Sequence, residues 1–157
     1  MKKTEELRRL LENSWIPAIY EQKVRKRRTR AVQLPVPAKL NHAEILFTLL
    51  GIELRVAKRR IPCPDLATAR YLQVFARLGC PTVAIPYDIT QISPLADELE
   101  VAWQRLGLMT DHLTTESPSA RSRLMSSAVK EIREAIGAAG AGDTMPEFRK
   151  STRQSRN

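Results

Sequence analysis

The sequence predicts an α/β fold: a small sheet with a parallel β-α-β core, flanking helices, a basic helical arm before it and a disordered tail after it. Three observations predict it. Ile52, Leu54 and Val56 alternate with Glu53, Arg55 and Ala57, the period of a strand with one wet face over about 52–57. Thr82-Val83-Ala84-Ile85 is a short apolar run, read as a buried strand over about 82–86. Between them, Asp65 stands where a helix cap would be. Tyr71, Leu72, Phe75, Ala76 and Leu78 then share one broad face, and Gly79 stops the helix. A strand–helix–strand unit in one sheet is right-handed with parallel strands.

The other elements follow in order. Thr4-Glu5-Glu6 opens a helix with acids at the positive end of its dipole, and Leu7, Leu10, Leu11 and Trp15 form its stripe. Pro17 ends or restarts that helix. A helix this short is marginal alone, so Trp15 packs on the domain or on a second copy of the chain. From Ile19 to Arg30 two readings stand: helix as far as Val24, or an extended basic arm. Leu34-Pro35-Val36-Pro37 is a stiff connector or edge strand. Asn41 to Glu44 has capping-box spacing, with Leu40 and Ile45 placed as a staple, so a helix is expected over 42–50 with Gly51 as its cap. Ser93-Pro94 and Ser117-Pro118 each pair an N-cap with proline at the first helical position. Leu95, Leu99, Ala102 and Leu106 stripe the first of these helices; Met125, Val129, Ile132 and Ile136 stripe the second, which is expected to end at Gly137. The expected division is 1–31 as N-terminal helix and basic arm, 32–137 as the compact domain, and 138–157 as linker and disordered tail.

Charge is the strongest pointer to function. The chain has 157 residues and a formal net charge of +9. Residues 1–60 hold 15 Lys and Arg against 6 acids, and the remainder is balanced at 11 against 11. The excess peaks in the run Lys23, Arg25, Lys26, Arg27, Arg28 and Arg30, and recurs in Lys58, Arg59 and Arg60. Like charges at this density repel without a counter-charge, and a polarised chain of this kind meets a polyanion. The expected partner is nucleic acid, DNA or RNA, bound through phosphates by these nine residues without choice of base sequence. Arg70 and Arg77 are candidates to extend that surface from the next helix. The alternative partner is an acidic protein, with the chain as adaptor or assembly factor.

Catalysis is the third reading. Under the parallel topology, Asp65 and Asp88 share a sheet edge beside arginine, where two carboxylates could hold Mg²⁺ for a nuclease. Pro64-Asp65 resembles the opening of the PD-(D/E)xK nuclease motif. No Asp/Glu-x-Lys follows it at strand spacing, and Glu21-Gln22-Lys23 lies upstream. Helix capping by Asp65 and a turn at Asp88 and Thr90 account for both acids more simply. His42 and His112 accompany no nucleophile, and no P-loop or dinucleotide loop is present, so no cofactor or resident metal is expected. Cys63 and Cys80 make neither a metal spacing nor a disulfide framework, which fits burial in a reduced, bacterial-type cytoplasm. No apolar run approaches the roughly 20 residues that span a bilayer, and no membrane partner is expected.

Overall fold

A computed structural model describes residues 3–36 and 42–142. Among the described residues it has α+β content with antiparallel sheets only. The chain begins with α1 (Lys3–Leu11) and α2 (Ile16–Ile19), and α2 widens into a π-turn over Tyr20–Val24. The strands are β1 (Thr29–Gln33), β2 (Ala43–Thr48), β3 (Gly51–Val56), β4 (Arg59–Cys63) and, after α3 (Leu66–Arg77), β5 (Thr82–Pro86). Two 22-residue helices follow: α4 (Ile92–Leu113) and α5 (Pro118–Ala139).

The parallel β-α-β core is overturned. β3 and β5 belong to different sheets: β2-β3-β4 is an antiparallel meander, and β5 pairs antiparallel with β1. The helix after Asp65 does connect two strands, but the first of them is β4. Its sequence, Arg59-Arg60-Ile61-Pro62-Cys63, hides a strand behind two bases and a proline. Proline is tolerated there because β4 is an edge strand. The partner of β5 starts at the end of the basic run, where Thr29 to Gln33 face Pro86 to Thr82 in register.

The helix expected over 42–50 is also corrected, since residues 43–48 are β2. Leu40 and Asn41, half of the expected staple and box, lie outside the described residues. Ile45, Phe47 and Thr48 are strand formers, and their cross-strand partners Leu54, Ile52 and Gly51 outweigh a local capping signal. Gly51, with φ of +123°, closes a hairpin instead of capping a helix. The tip of that hairpin leaves Phe47, Leu49 and Leu50 exposed. Ser93-Pro94 falls within the first turn of α4, which starts at Ile92 after a short 3₁₀ turn capped by Asp88. Proline fits there because the first four helical N–H groups have no partner in the helix. α5 starts as expected, with Ser117 Oγ accepting from Ala120 N, and runs to Ala139, past the expected stop at Gly137.

The N-terminal helical segment is present and continues as helix to Val24, the first of the two readings of that stretch. Leu7, Leu11 and Trp15 are buried in the common core. Trp15 therefore packs within its own chain. The expected tail over 143–157 and Pro37 of the connector lie outside the described residues.

The core centres on three rings. Phe75 of α3 meets Tyr20 edge-on at 5.6 Å between centroids and Tyr71 at 5.2 Å. Both hydroxyls serve β5. Ala84 N donates to Tyr20 Oη at 2.9 Å, and Tyr71 Oη donates to Ala84 O at 2.6 Å. Tyr87 N donates to Arg28 O, and Leu34 N donates to Pro81 O, which sets the alternation of the β1–β5 ladder. In that alternation the N–H and C=O of Ala84 point away from β1. Two side-chain hydroxyls thus occupy the place of a third strand.

Cys63 and Cys80 are buried and free. Burial pushes the Cys80 thiol up to about 12 and also raises that of Cys63. Thiolate is the reactive form. Native protein at about pH 8 is expected to take up alkylating reagent on neither cysteine within minutes, and on both after denaturation. Rapid labelling of either one in the native state, counted by mass spectrometry, would contradict this burial.

Candidate nucleic-acid interface

The basic run is shaped by two buried residues, Tyr20 and Val24, which draw one face of the helix into the core. Bases occupy the positions left outside. The chain then turns, with Arg25 N bonded to Tyr20 O and Arg27 N bonded to Val24 O, and enters β1 at Thr29. The run is therefore a helix end, a turn and a strand.

Its bases divide by what they touch. Lys23 is spent on Glu98, with Nζ 2.8 Å from Oε2. Arg25 is half-buried: Nε donates to Ala139 O at 3.2 Å and Nη1 to Thr29 Oγ1 at 3.2 Å. It thereby holds the carboxyl end of α5, where the helix dipole favours a cation. Gly142, at φ of +87°, passes so close that a side chain there would collide with Thr29. Arg27 Nε donates to Lys23 O at 2.6 Å, which fixes the turn. Arg28 lies over the Tyr87 ring at 4.9 Å, an attraction of about 0.5–1 kcal/mol at an exposed site. Lys26 is exposed, and Arg30 is half-buried on β1.

Lys58, Arg59 and Arg60 are exposed at the β3–β4 turn and the start of β4. Ala57 makes the turn with φ of +56°, uncommon for a residue bearing a Cβ. Arg60 Nη1 stands 3.5 Å from Glu53 Oε1, a buried oxygen with no hydrogen bond. A shallow groove of about 450 Å³ joins Arg59, Arg60 and Ile61 to Gln33, Leu34 and Pro35. The structure thus brings Arg59 and Arg60 beside the far end of β1. The opposite end of β1 carries the turn at Lys26–Arg28, and a second groove there runs along Lys23, Lys26, Arg27, Gln91 and Pro94.

Among the described residues, seven of the nine predicted bases have no ion-pair partner, the exceptions being Lys23 and Arg60. Elsewhere the cations are compensated more often. Lys3, Arg8, Arg9, Arg55, Arg70 and Arg121 each meet a carboxylate. Arg70 is committed to Asp97 and Glu100, and Arg77 lies over Trp103 at 6.0 Å. Arg70 is therefore not a free charge, whereas Arg77 has no carboxylate partner.

Loss of the parallel topology removes the shared sheet edge that joined Asp65 to Asp88. Asp65 Oδ1 accepts from Thr68 N at 2.7 Å and caps α3. Asp88 Oδ1 accepts from the Thr90 hydroxyl at 2.6 Å and from Thr90 N at 3.0 Å. The hydroxyl, the amide and then nearby Arg27 hold the Asp88 carboxyl below the usual carboxylate range. Among the described residues no three His, Cys, Asp or Glu side chains gather as a metal site, and no helix is long and apolar enough to cross a membrane.

Tyr87 under Arg28 and Gln33 beside Arg59 were not legible from the sequence. Each contact joins distant stretches of chain: pairing of β1 with β5 brings Arg28 to Tyr87, and Gln33 meets Arg59 between two different sheets. The chain matches no protein-family profile, no curated protein and no solved structure.

Proposed function

We propose that this protein is a non-catalytic accessory protein that binds nucleic acid through phosphates, with contacts from the turn around Lys26–Arg28 and from Lys58–Arg60. The observation that carries this reading is that, among the described residues, five of the six bases in those two clusters, all but Arg60, have no ion-pair partner, whereas Lys3, Arg8, Arg9, Arg55, Arg70 and Arg121 each have one. Exposed cations without partners hold a positive potential that attracts a polyanion and releases its counterions on binding.

The test is a fluorescence-anisotropy titration of labelled DNA and RNA by the full chain. It compares wild type with the variant Lys26→Ala/Arg28→Ala/Lys58→Ala/Arg59→Ala. With about five phosphates contacted, log affinity falls against log salt with a slope of roughly −4 to −5. The variant flattens that slope by about 1 per base removed and weakens binding by roughly 100-fold or more at low salt. Arg121→Ala, which removes a paired cation, changes affinity less than about threefold. No binding to DNA or RNA at about 50 mM salt, where phosphate contacts are strongest, would exclude this function and leave an acidic protein as the partner.

A further inference from the structure

Resting on the nucleic-acid reading above, we infer that the preferred ligand is duplex DNA, held by its two phosphate rows, in preference to single strands. Two independent observations point there.

The first is the fate of the aromatic rings. Proteins that hold single strands stack successive bases on exposed rings. Here Trp15, Tyr20, Tyr71 and Phe75 are buried in the core. Tyr87 is half-buried with Arg28 on its face, and Trp103 is half-buried with Arg77 on its face. Among the described residues only Phe47 presents a largely exposed ring, and it sits at the tip of the β2–β3 hairpin. A lone ring there offers no row of platforms for successive bases.

The second is the spacing of the two basic clusters. Lys26–Arg28 precede β1, and Arg59–Arg60 flank Gln33 at its end. The five steps from Arg28 to Gln33 cover roughly 16 Å of strand. Arginine side chains are long enough to span the difference between that separation and the roughly 12 Å width of the major groove of B-form DNA. A-form RNA has a deep, narrow major groove, so the same two clusters meet its phosphates less well. Contacts to phosphates alone carry no base information. The ligand is therefore recognised by charge and shape, without sequence preference.

The test uses the full chain and three ligands of equal length, about 24 nucleotides per strand: mixed-sequence duplex DNA, one of its strands, and duplex RNA, each at about 50 and 150 mM salt. Duplex DNA is expected to bind at least about tenfold tighter than either other ligand, a difference well outside the scatter of such titrations. Phe47→Ala is expected to leave all three affinities within about twofold, since its ring serves no stacked base. Single strands or duplex RNA bound as tightly as duplex DNA would overturn the inference, as would a large loss in Phe47→Ala. If single strands win and the four-base variant still abolishes binding, the nucleic-acid reading stands and this inference falls. If no ligand binds, both fall.

Discussion

Tyr20→Phe is expected to lower folding stability by about 2–4 kcal/mol, although it removes one oxygen atom. That oxygen is shared. It accepts from Ala84 N and donates to Gly140 O at 2.6 Å, linking β5 to the residue just past α5. Tyr20 and Ala84 are fully buried. Without the oxygen, the Ala84 amide has no acceptor and no water, and such an orphan costs about 1–3 kcal/mol by itself. The lost bond to Gly140 adds to this. Urea denaturation checks it as a lower midpoint at unchanged slope. A cost below about 0.5 kcal/mol would mean that Ala84 finds another acceptor.

The same pair of phenols sets an alkaline limit. Burial raises the Tyr20 phenol, and raises that of Tyr71 well above its ordinary value of 10.0. Between the unfolded and the raised folded value the unfolded chain binds fewer protons, so stability falls as pH rises there. The contribution is complete below about pH 10 and is lost as pH climbs through the folded values. Wild type is therefore expected to unfold in a cooperative alkaline transition that Tyr71→Phe displaces to higher pH.

Phe75→Ala is expected to cost about 3–5 kcal/mol, the range for deleting a buried aromatic ring. Phe75 has no exposed surface and touches both tyrosines that seal β5. Its removal leaves a void between α3 and the π-turn and loosens the hydroxyls that depend on those rings. Phe75→Leu keeps more of the volume and is expected to cost less than half as much. Equal losses in the two variants would mean that ring contacts matter more than filled space.

These outcomes depend on features that the sequence revealed unequally. The helices were legible because their signals are local. Ser117-Pro118 caps α5, Asp65 caps α3, and the stripes Leu95–Leu106 and Val129–Ile136 are buried. Strands β3 and β5 were legible from alternation and from an apolar run. Their partners were not. β1 starts at the end of the basic run, where Arg30 masks a short strand over Thr29–Gln33, and β4 is masked by Pro62. The wrong partners then produced the wrong topology, and with it a carboxylate pair at an edge that does not exist. Residues 43–48 show the opposite error, where a strong local cue for helix yields to pairing with β3. For the interface, the sequence located the bases. It could not separate Lys23, Arg25 and Arg60, which are held by their own fold, from Lys26, Lys58 and Arg59, which are not.

The tyrosine hydroxyls on Ala84 also decide how this chain can meet strands from other molecules. A strand edge with open amides is a template on which another chain can add, by design or by accident. On β5 that template is closed by two groups that no incoming backbone can displace without unpacking the core. Polymerisation through the β1–β5 sheet is thus barred on one side. Growth on the other side would have to pass the arginines that flank β1, where a second copy brings the same sign of charge. The sheet is protected from itself chemically on one edge and electrostatically on the other.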